Sequence, residues 1–414
     1  MSRLPLRLGA ALLATAGLLT LAPARAEFAI PGFELVHTVP VETQLATPDL
    51  RGPVEVWRQM IDGARREIVI GQFYVAGRPG EPLDAIIERL EAAAARGVRI
   101  RFLMELRGER ISEAATIARL RAIPGLEFRV LEFGKLSASG IIHAKYFVVD
   151  GREAFVGSQN FDWRALKHIH ETGLRITDAT VAGQVQAIFD LDWQAQGQLA
   201  AGQPATQPPP VTTPVDLTRP AFLLASPRAW NPPGVGDSQE ALPRLLAQAQ
   251  REIRVQLLDY APLSYASGRR PFYAVVDNAV RAAAARGVKV KLLVSHWNTE
   301  EPAIHHLKSL AMLPEVEVRI ATLPRASEGF IPFARVIHTK AMTIDGELAW
   351  IGTSNWMGGY FDNSRNLEVV LRDKAMATRV AALHEQLWAS PYSERIDVNK
   401  HYPKPEKGEP ATGR

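Results

Sequence analysis

The stretch Ile142–Asn160, IHAKYFVVDGREAFVGSQN, returns later in the chain as Ile337–Asn355, IHTKAMTIDGELAWIGTSN. Both copies contain a histidine and a lysine two residues apart, an Asp-Gly pair, and a Gly-Ser or Gly-Thr pair followed by an asparagine. The Asp-Gly pairs favour tight hairpin turns between apolar strands. Because residues i and i+2 of a strand face the same side, we expect each histidine and its lysine to project together.

The repeat extends beyond these two stretches. Ile87–Met104, IERLEAAAARGVRIRFLM, and Val276–Val294, VDNAVRAAAARGVKVKLLV, each predict a helix, a glycine cap and a strand. Each copy of the pattern then ends in a helix with a terminal tryptophan, Trp193 or Trp388. Alternating strands and helices predict an α/β fold in two halves, which would associate most simply about a pseudo-twofold axis.

The chain divides into five predicted segments. Arg3 and Arg7 precede a short apolar run that ends in Ala24-Arg25-Ala26, which is typical of a secretory signal cleaved after Ala26. The alternative is an uncleaved N-terminal anchor. We expect a signal peptide at 1–26, domains at 27–196 and 216–398, a Pro-rich linker at 197–215 and a disordered tail at 399–414. The mature protein would then be periplasmic or secreted, with no transmembrane anchor.

Charge and cysteine content narrow the possible functions. The 414 residues carry a net charge of +4, and residues 1–26 hold three arginines and no acid, so the remainder carries +1. Such a balance gives no general electrostatic reason to bind nucleic acid or an acidic membrane, and local charge must hold any anionic substrate. The chain has no cysteine, which removes thiolate metal sites and cysteine nucleophiles.

The repeated motif predicts phosphodiester chemistry. Lysine, hydroxyl and carboxamide groups suit phosphate oxygens, and two histidines could attack phosphorus and protonate the leaving oxygen. Lysines stand where other enzymes place metal ions, so we expect neither metal nor cofactor. The candidates are His143, Lys145, Asp150, Ser158 and Asn160 with His338, Lys340, Asp345, Thr353 and Asn355. For Asp150 and Asp345, a turn role is the favoured alternative.

Six further residues are candidates with weaker support. Glu171 and Glu368 follow the motifs at the start of strand-like runs, where each could fix the tautomer of a histidine or could simply be an exposed strand residue. Four aromatic residues could bind substrate by stacking or could be packing residues: Tyr260, Trp297, Trp356 and Tyr360. The remaining histidines have no comparable context.

Both copies match H-x-K-x4-D-x6-G-[ST]-x-N, and through it the chain resembles the phospholipase D superfamily. The stretches GSQNFDWRAL, LLVSHWNTEEP and IPFARVIHTK are similar to the animal endolysosomal single-strand 5′ exonucleases of that superfamily. The resemblance implies two α/β/α sandwich domains with the active site at their interface and a covalent phosphohistidine. It also implies that His143 is the nucleophile and His338 the general acid and base. Those animal proteins have cysteines and an uncleaved anchor, so we interpret this chain as an exported bacterial homologue.

The sequence is compatible with three functions. The first is a phosphodiesterase acting on single-stranded nucleic acid ends or on phospholipid head groups. The second is a phosphatidyl transferase of the cardiolipin-synthase type, in which an alcohol replaces water. The third is a binding protein that keeps the fold without catalysis, although no motif residue is missing. The sequence does not predict an oligomeric state.

Overall fold

The computed structural model describes residues 27–265 and 270–408, so the predicted signal peptide lies outside the described residues. The first domain contains α1 (Pro53–Gly63), α2 (Pro82–Ala95), α3 (Ala114–Arg121) and α4 (Ala179–Ala200). Its strands are β1 (Ala29–Ile30), β2 (Phe33–Thr38), β3 (Glu67–Gln72), β4 (Val75–Ala76), β5 (Arg99–Glu105), β6 (Leu126–Leu131), β7 (Tyr146–Val149), β8 (Glu153–Gly157), β9 (Phe161–Asp162) and β10 (Glu171–Ile176).

The second domain repeats this set of elements. Its helices are α5 (Ser238–Gln248), α6 (Val275–Ala285), α7 (Ala303–Ala311) and α8 (Lys374–Trp388). Its strands are β11 (Ala221–Ser226), β12 (Gly236–Asp237), β13 (Glu252–Leu257), β14 (Tyr260–Ser264), β15 (Lys289–Ser295), β16 (Val316–Ala321), β17 (Ala341–Ile344), β18 (Leu348–Gly352), β19 (Trp356–Gly358), β20 (Asn366–Leu371) and β21 (Ser393–Arg395). Short 3₁₀ helices include Leu106–Ile111 and His296–Thr299.

The two large sheets share the same central strand order and differ at their edges. The first runs β1-β2-β10-β8-β7-β3-β5-β6, and the second runs β12-β11-β20-β18-β17-β13-β15-β16-β21. In each, three parallel strands adjoin an antiparallel group that contains the motif hairpin. The predicted duplication and the α/β class are therefore confirmed.

Local sequence explains the repeated helix-strand units. Helix α2 buries residues at helical spacing along one face: Leu83, Ile86, Ile87, Leu90 and Ala93. Gly97 and Gly287 follow α2 and α6 with φ of 85° and 86°, the left-handed conformation that glycine adopts without strain. Both predicted caps are confirmed.

The domains share a hydrophobic core. One buried cluster combines first-domain side chains such as Val156, Leu174 and Val185 with second-domain side chains such as Ile351 and Val369. Because this cluster is continuous, it holds together the two sheets, which carry the motif hairpins on central strands. Among the described residues, no helix has both the length and the apolar content needed to cross a membrane.

Two predicted boundaries need correction. Helix α4 continues to Ala200, so the first four residues of the predicted linker are helical. Residues 399–408 of the predicted disordered tail, which we call the C-terminal strap, pack on the second domain. Tyr402 adds its ring to the core there, and Lys308 Nζ and Thr299 Oγ1 donate to the carbonyls of Lys400 and Pro403. The polar composition predicted that these residues are disordered. The contacts offset the conformational entropy that is lost when the strap becomes ordered. Residues 409–414 lie outside the described residues.

Candidate active site

Each histidine-lysine pair lies just before a strand rather than within it. β7 begins at Tyr146 and β17 begins at Ala341, so the pairs occupy the irregular segments that lead into these strands. The prediction that each histidine lies within a strand is therefore wrong. The sheet cannot continue there because the backbone at these positions bonds to the other domain.

The backbone of one domain holds the motif of the other. The amides of His143 and Ala144 donate to the carbonyl of Arg365 in the second domain, at 3.0 and 2.9 Å. In the reciprocal contact, the amides of His338 and Thr339 donate to the carbonyl of His170 in the first domain, at 2.9 and 3.1 Å. Both histidines are thus placed by the domain interface.

Side chains also reach across the interface to orient the imidazoles. Nδ1 of His338 donates to Glu171 Oε2 at 2.8 Å, and Nδ1 of His143 donates to Asn366 Oδ1 at 2.9 Å. The amide orientation of Asn366 follows from its own contacts, because Nδ2 donates to the Tyr360 carbonyl at 2.9 Å. Both histidines are therefore held with hydrogen on Nδ1, which leaves Nε2 available for chemistry.

Glu368 is not the partner predicted for a histidine. Its carboxylate accepts from the hydroxyls of Ser238 and Ser354, away from His143. The sheet register explains this, because Gly173 pairs with Gly157 whereas Glu368 pairs with Gly352. Glu368 thus corresponds to Gly173 of the first domain, two residues beyond the orienting position.

The orienting residue that sequence reasoning missed is Asn366. It follows Asn355 by eleven residues, the same spacing that separates Glu171 from Asn160. This equal spacing identifies Asn366, whereas the expectation that a carboxylate orients the histidine favoured Glu368. The two domains therefore differ at equivalent positions, with a carboxylate on one histidine and a neutral amide on the other.

The two lysines lie buried beside the histidines. Lys145 and Lys340 are 1% and 0% exposed, and each ammonium donates to the carbonyl of the histidine two residues before it. Burial lowers the pKa of Lys340 to about 7, with Glu171 and Asp259 opposing the shift. Burial and the charge of Lys340 lower the pKa of Lys145 as well. An anion placed between these ammonium groups would reverse both shifts.

Burial and the nearby lysine charges also set the pKa values of the histidines. Burial and then the charges of both lysines lower the pKa of each histidine well below its usual value, and His143 further lowers that of His338. Burial raises the pKa of Glu171 to about 8, against the lysine charges. The effect of His143 on the pKa of His338 agrees with a single shared site, and the Glu171–His338 pair holds one titratable proton at neutral pH.

The motif hydroxyls brace the orienting residues. Ser158 Oγ donates to the carbonyl of Thr172, and Thr353 Oγ1 donates to Asn366 Oδ1 at 2.9 Å. Both hydroxyls also accept a backbone amide from the neighbouring strand, at Thr172 and Leu367. The structure therefore corrects their expected role as phosphate donors, because their hydrogens are already used.

The motif asparagines keep unused hydrogen-bonding atoms. Asn160 Oδ1 and Asn355 Nδ2 are buried without a partner, although Asn355 Oδ1 accepts from the Asp259 amide at 3.3 Å. A buried polar atom without a partner is costly unless a ligand or water satisfies it. Asn355 Nδ2 can donate to a phosphate oxygen, whereas Asn160 Oδ1 can accept from the attacking water.

Asp150 and Asp345 lie in the hairpin turns, away from the histidines. Asp150 and Asp345 both have φ of 54°, and their carboxylates each accept backbone amides from the segment before β3 or β13. Each carboxylate accepts three such bonds, which fixes the turn to the neighbouring strand. The structure assigns them to the turns, in agreement with the alternative that the sequence favoured.

The predicted aromatic residues separate into two groups. Tyr260 and Trp356 are 1% and 2% exposed within the second-domain core, and the Tyr260 hydroxyl donates to Asp277, so neither can stack on a substrate. Tyr360 lies against His143, with ring centroids 4.8 Å apart. Trp297 is half-buried at the domain boundary.

Two other residues near the motif had no sequence signal. Phe73 lies 5.9 Å from the His143 ring and 5.6 Å from the Lys145 ammonium, measured to ring centroids. Asp259 is half-buried, and desolvation raises its pKa, which Lys407, Lys340 and Arg270 oppose. Within the described ranges, no group of three histidine or acidic side chains could hold a metal ion.

The chain is similar to a protein family and to named proteins of other organisms. The family described as "Cardiolipin synthase, PLD-like domain" matches residues 57–193 and 242–388, which include both motifs. A protein of Dictyostelium discoideum named Phospholipase D Z is 31% identical over 366 residues, covering 82% of this chain and 85% of that protein. A protein of Rattus norvegicus named 5′-3′ exonuclease PLD3 is 28% identical over 400 residues, covering 88% and 80%.

The solved structures support the fold. The phosphatidylserine synthase of Haemophilus influenzae superposes with a TM-score of 0.57 at 14% identity, covering 84% of this chain and 86% of that one. Similarity at this level of identity establishes the tandem architecture alone.

Proposed function

The chain belongs to the phospholipase D superfamily, and on that premise we propose that it hydrolyses single-stranded nucleic acid from its ends through a phosphohistidine on His143. The observation that carries the proposal is the pair of cross-domain contacts, Glu171 to His338 and Asn366 to His143. Each leaves an Nε2 free beside two buried lysines. Phosphodiesterase activity is common to the superfamily, and the nucleic acid substrate is our inference.

The first step transfers the phosphoryl group to the enzyme. The lone pair of His143 Nε2 attacks phosphorus, and the bond from phosphorus to the leaving oxygen breaks. His338 Nε2 gives its proton to that oxygen, and Glu171 stabilises the imidazolium before transfer. Lys145 and Lys340 neutralise the charge on the non-bridging oxygens.

The second step returns both histidines to their starting state. His338 takes a proton from water as the water oxygen attacks phosphorus, and the bond between phosphorus and His143 Nε2 breaks. The difference between Asn366 and Glu171 supports this direction. A neutral amide keeps His143 oriented without stabilising positive charge on it, so the nitrogen remains a good nucleophile and later a good leaving group.

Aromatic rings beside the reacting histidine support a nucleic acid substrate. Tyr360 contacts the His143 ring, and Tyr265, which is 57% exposed, lies 5.8 Å from Tyr360 between ring centroids. Nucleobases stack on such rings in a sequence-tolerant manner. The relative named 5′-3′ exonuclease PLD3 agrees with this choice.

A phospholipid is the second candidate. Phe272 is 69% exposed near Tyr265, and an exposed apolar rim could meet a lipid surface. The relative named Phospholipase D Z agrees with that alternative. We also propose, from residues 1–26 alone, that the protein is exported and cleaved after Ala26.

One experiment separates these activities. The purified protein is incubated with EDTA on 5′-hydroxyl single-stranded oligonucleotides and on phosphatidylglycerol vesicles, alongside His143→Ala and His338→Ala. We expect nucleotide release without metal and a fall in kcat of about 10² to 10⁴-fold in either variant. Lipid turnover without nucleotide release would refute the substrate, and full activity in either variant would refute the mechanism.

A further inference from the structure

Phe333 is an exposed aromatic residue in an unusual backbone conformation. Its side chain is 47% exposed and its φ is 60°, a left-handed value that a bulky residue seldom adopts. Arg335 shares this feature with φ of 53°, and His338 follows five residues after Phe333. Backbone strain of this kind concentrates at functional sites and persists only where neighbouring structure enforces it.

The C-terminal strap supplies that enforcement. The Phe333 amide donates to the Lys407 carbonyl at 2.6 Å, and Gly408 lies against the Phe333 ring so closely that an added Cβ would be 3.1 Å from it. The strap is anchored just before this point by the ion pair of Glu406 with Arg325 at 2.8 Å. Lys407 and Gly408 of the strap therefore contact Phe333 and fix its backbone.

A second aromatic ring stands beside Phe333. The rings of Trp297 and Phe333 are 6.5 Å apart at 82°, and the Lys407 ammonium lies 5.7 Å from the Trp297 ring centroid. Lys404 and Lys407 both pair with Glu300. The result is two rings with lysine side chains beside them on one surface.

This surface adjoins the catalytic residues at the domain boundary. Asn298, the neighbour of Trp297, accepts the Tyr260 amide at 2.9 Å, and the preceding Asp259 amide donates to the motif residue Asn355. On the other side, the Pro332 carbonyl accepts from Arg164 of the first domain at 3.1 Å. A strand entering the site would pass these rings.

We propose that Phe333 and Trp297, held in place by the C-terminal strap, stack on a nucleobase adjoining the phosphate under attack. This rests on the proposed nucleic acid function and identifies the residues that select a substrate with a base. The Phe333 ring is exposed on a strained backbone, and a nucleobase that stacks on the ring would cover it. Stacking of one base corresponds to about 5- to 150-fold in binding.

The test compares a normal oligonucleotide with one whose terminal nucleotides lack bases. For Phe333→Ala we expect KM for the normal substrate to rise about 5- to 150-fold with kcat nearly unchanged, and KM for the abasic substrate to stay constant. Phe333→Tyr should retain the wild-type KM. Met312→Ala, a control that removes a 67% exposed side chain at the far end of α7, should match wild type on both.

Shortening the strap tests its part separately. A chain that ends at Pro405 keeps Tyr402 and the bond to Pro403 but loses Lys407 and Gly408, and its thermal unfolding reports whether it folds. We expect it to reproduce the KM of Phe333→Ala. A wild-type KM in a folded shortened chain would overturn the role of the strap.

Other outcomes are also decisive. An unchanged KM in Phe333→Ala, or an equal rise on the abasic substrate, would overturn the stacking surface while leaving nucleotide hydrolysis intact. Loss of binding to phosphatidylglycerol vesicles in Phe333→Ala, with unchanged oligonucleotide kinetics, would make Phe333 a membrane contact instead. Failure of the wild type to cleave any oligonucleotide would refute the proposed function itself.

Discussion

Glu171 of the first domain lies 2.8 Å from Nδ1 of His338 in the second, so one domain supplies the carboxylate that orients the other domain's histidine. The equivalent contact in the opposite direction uses the amide of Asn366. In the proposed mechanism, this difference makes His338 the acid and His143 the nucleophile. It also makes the site depend on contact between the domains.

The first prediction concerns the carboxylate of Glu171. Glu171→Gln removes the charge that stabilises the His338 imidazolium, so we expect kcat to fall about 10² to 10⁴-fold. Glu368→Gln is the matched control, because Glu368 is equally buried, with a pKa that burial raises to about 7, and contacts neither histidine. Similar losses in the two variants, at unchanged folding, would argue against the assigned pairing.

The second prediction concerns Asn366. Asn366→Asp places a negative charge beside Nδ1 of His143, which should raise the pKa of His143. The acidic limb of the kcat/KM profile should then shift upward by about 1 to 3 pH units. The profile would be measured on a chromogenic diester. A shift confined to the alkaline limb would instead indicate that His143 acts as the acid.

The third prediction is that kcat/KM falls at an unusually low alkaline pH. Because burial lowers the pKa of Lys340 to about 7, its ammonium is present below that pH and is lost as pH rises. The free enzyme should therefore lose kcat/KM above about pH 7, whereas kcat should persist to higher pH because a bound anion raises the lysine pKa. A kcat/KM limb near the pKa of an ordinary lysine would contradict this account.

The fourth prediction concerns the fully buried ion pair of Arg365 and Asp192. It joins the domains with bonds of 2.7 and 2.9 Å at 0% exposure, directly beside Asn366. Asp192→Ala leaves an uncompensated buried charge, which should lower the free energy of unfolding by about 3–5 kcal/mol in urea titration. Lys135→Ala breaks an exposed pair and should cost at most about 1 kcal/mol. Equal effects would mean that the buried pair contributes little.

The sequence was sufficient for the duplication and for the histidine, lysine and asparagine residues, because their spacing repeats in full. It did not identify Asn366, because its role depends on a strand register that places Gly173 opposite Gly157 and Glu368 opposite Gly352. The burial of Tyr260 and Trp356 shows that they cannot stack on a substrate. Their positions at the ends of strands could not show this. The strap escaped prediction because the partners of its carbonyls and charged side chains lie far away in the sequence, which composition does not reveal.

The most direct test of the central claim is capture of the covalent intermediate. In His338→Ala, a nitrophenyl diester has a leaving group that departs without protonation, but the water of the second step lacks its base. Mass spectrometry after an alkaline quench should find the phosphoryl adduct on His143 of this variant and no adduct in His143→Ala. An adduct on any other residue, or turnover by His143→Ala at the wild-type rate, would contradict the account.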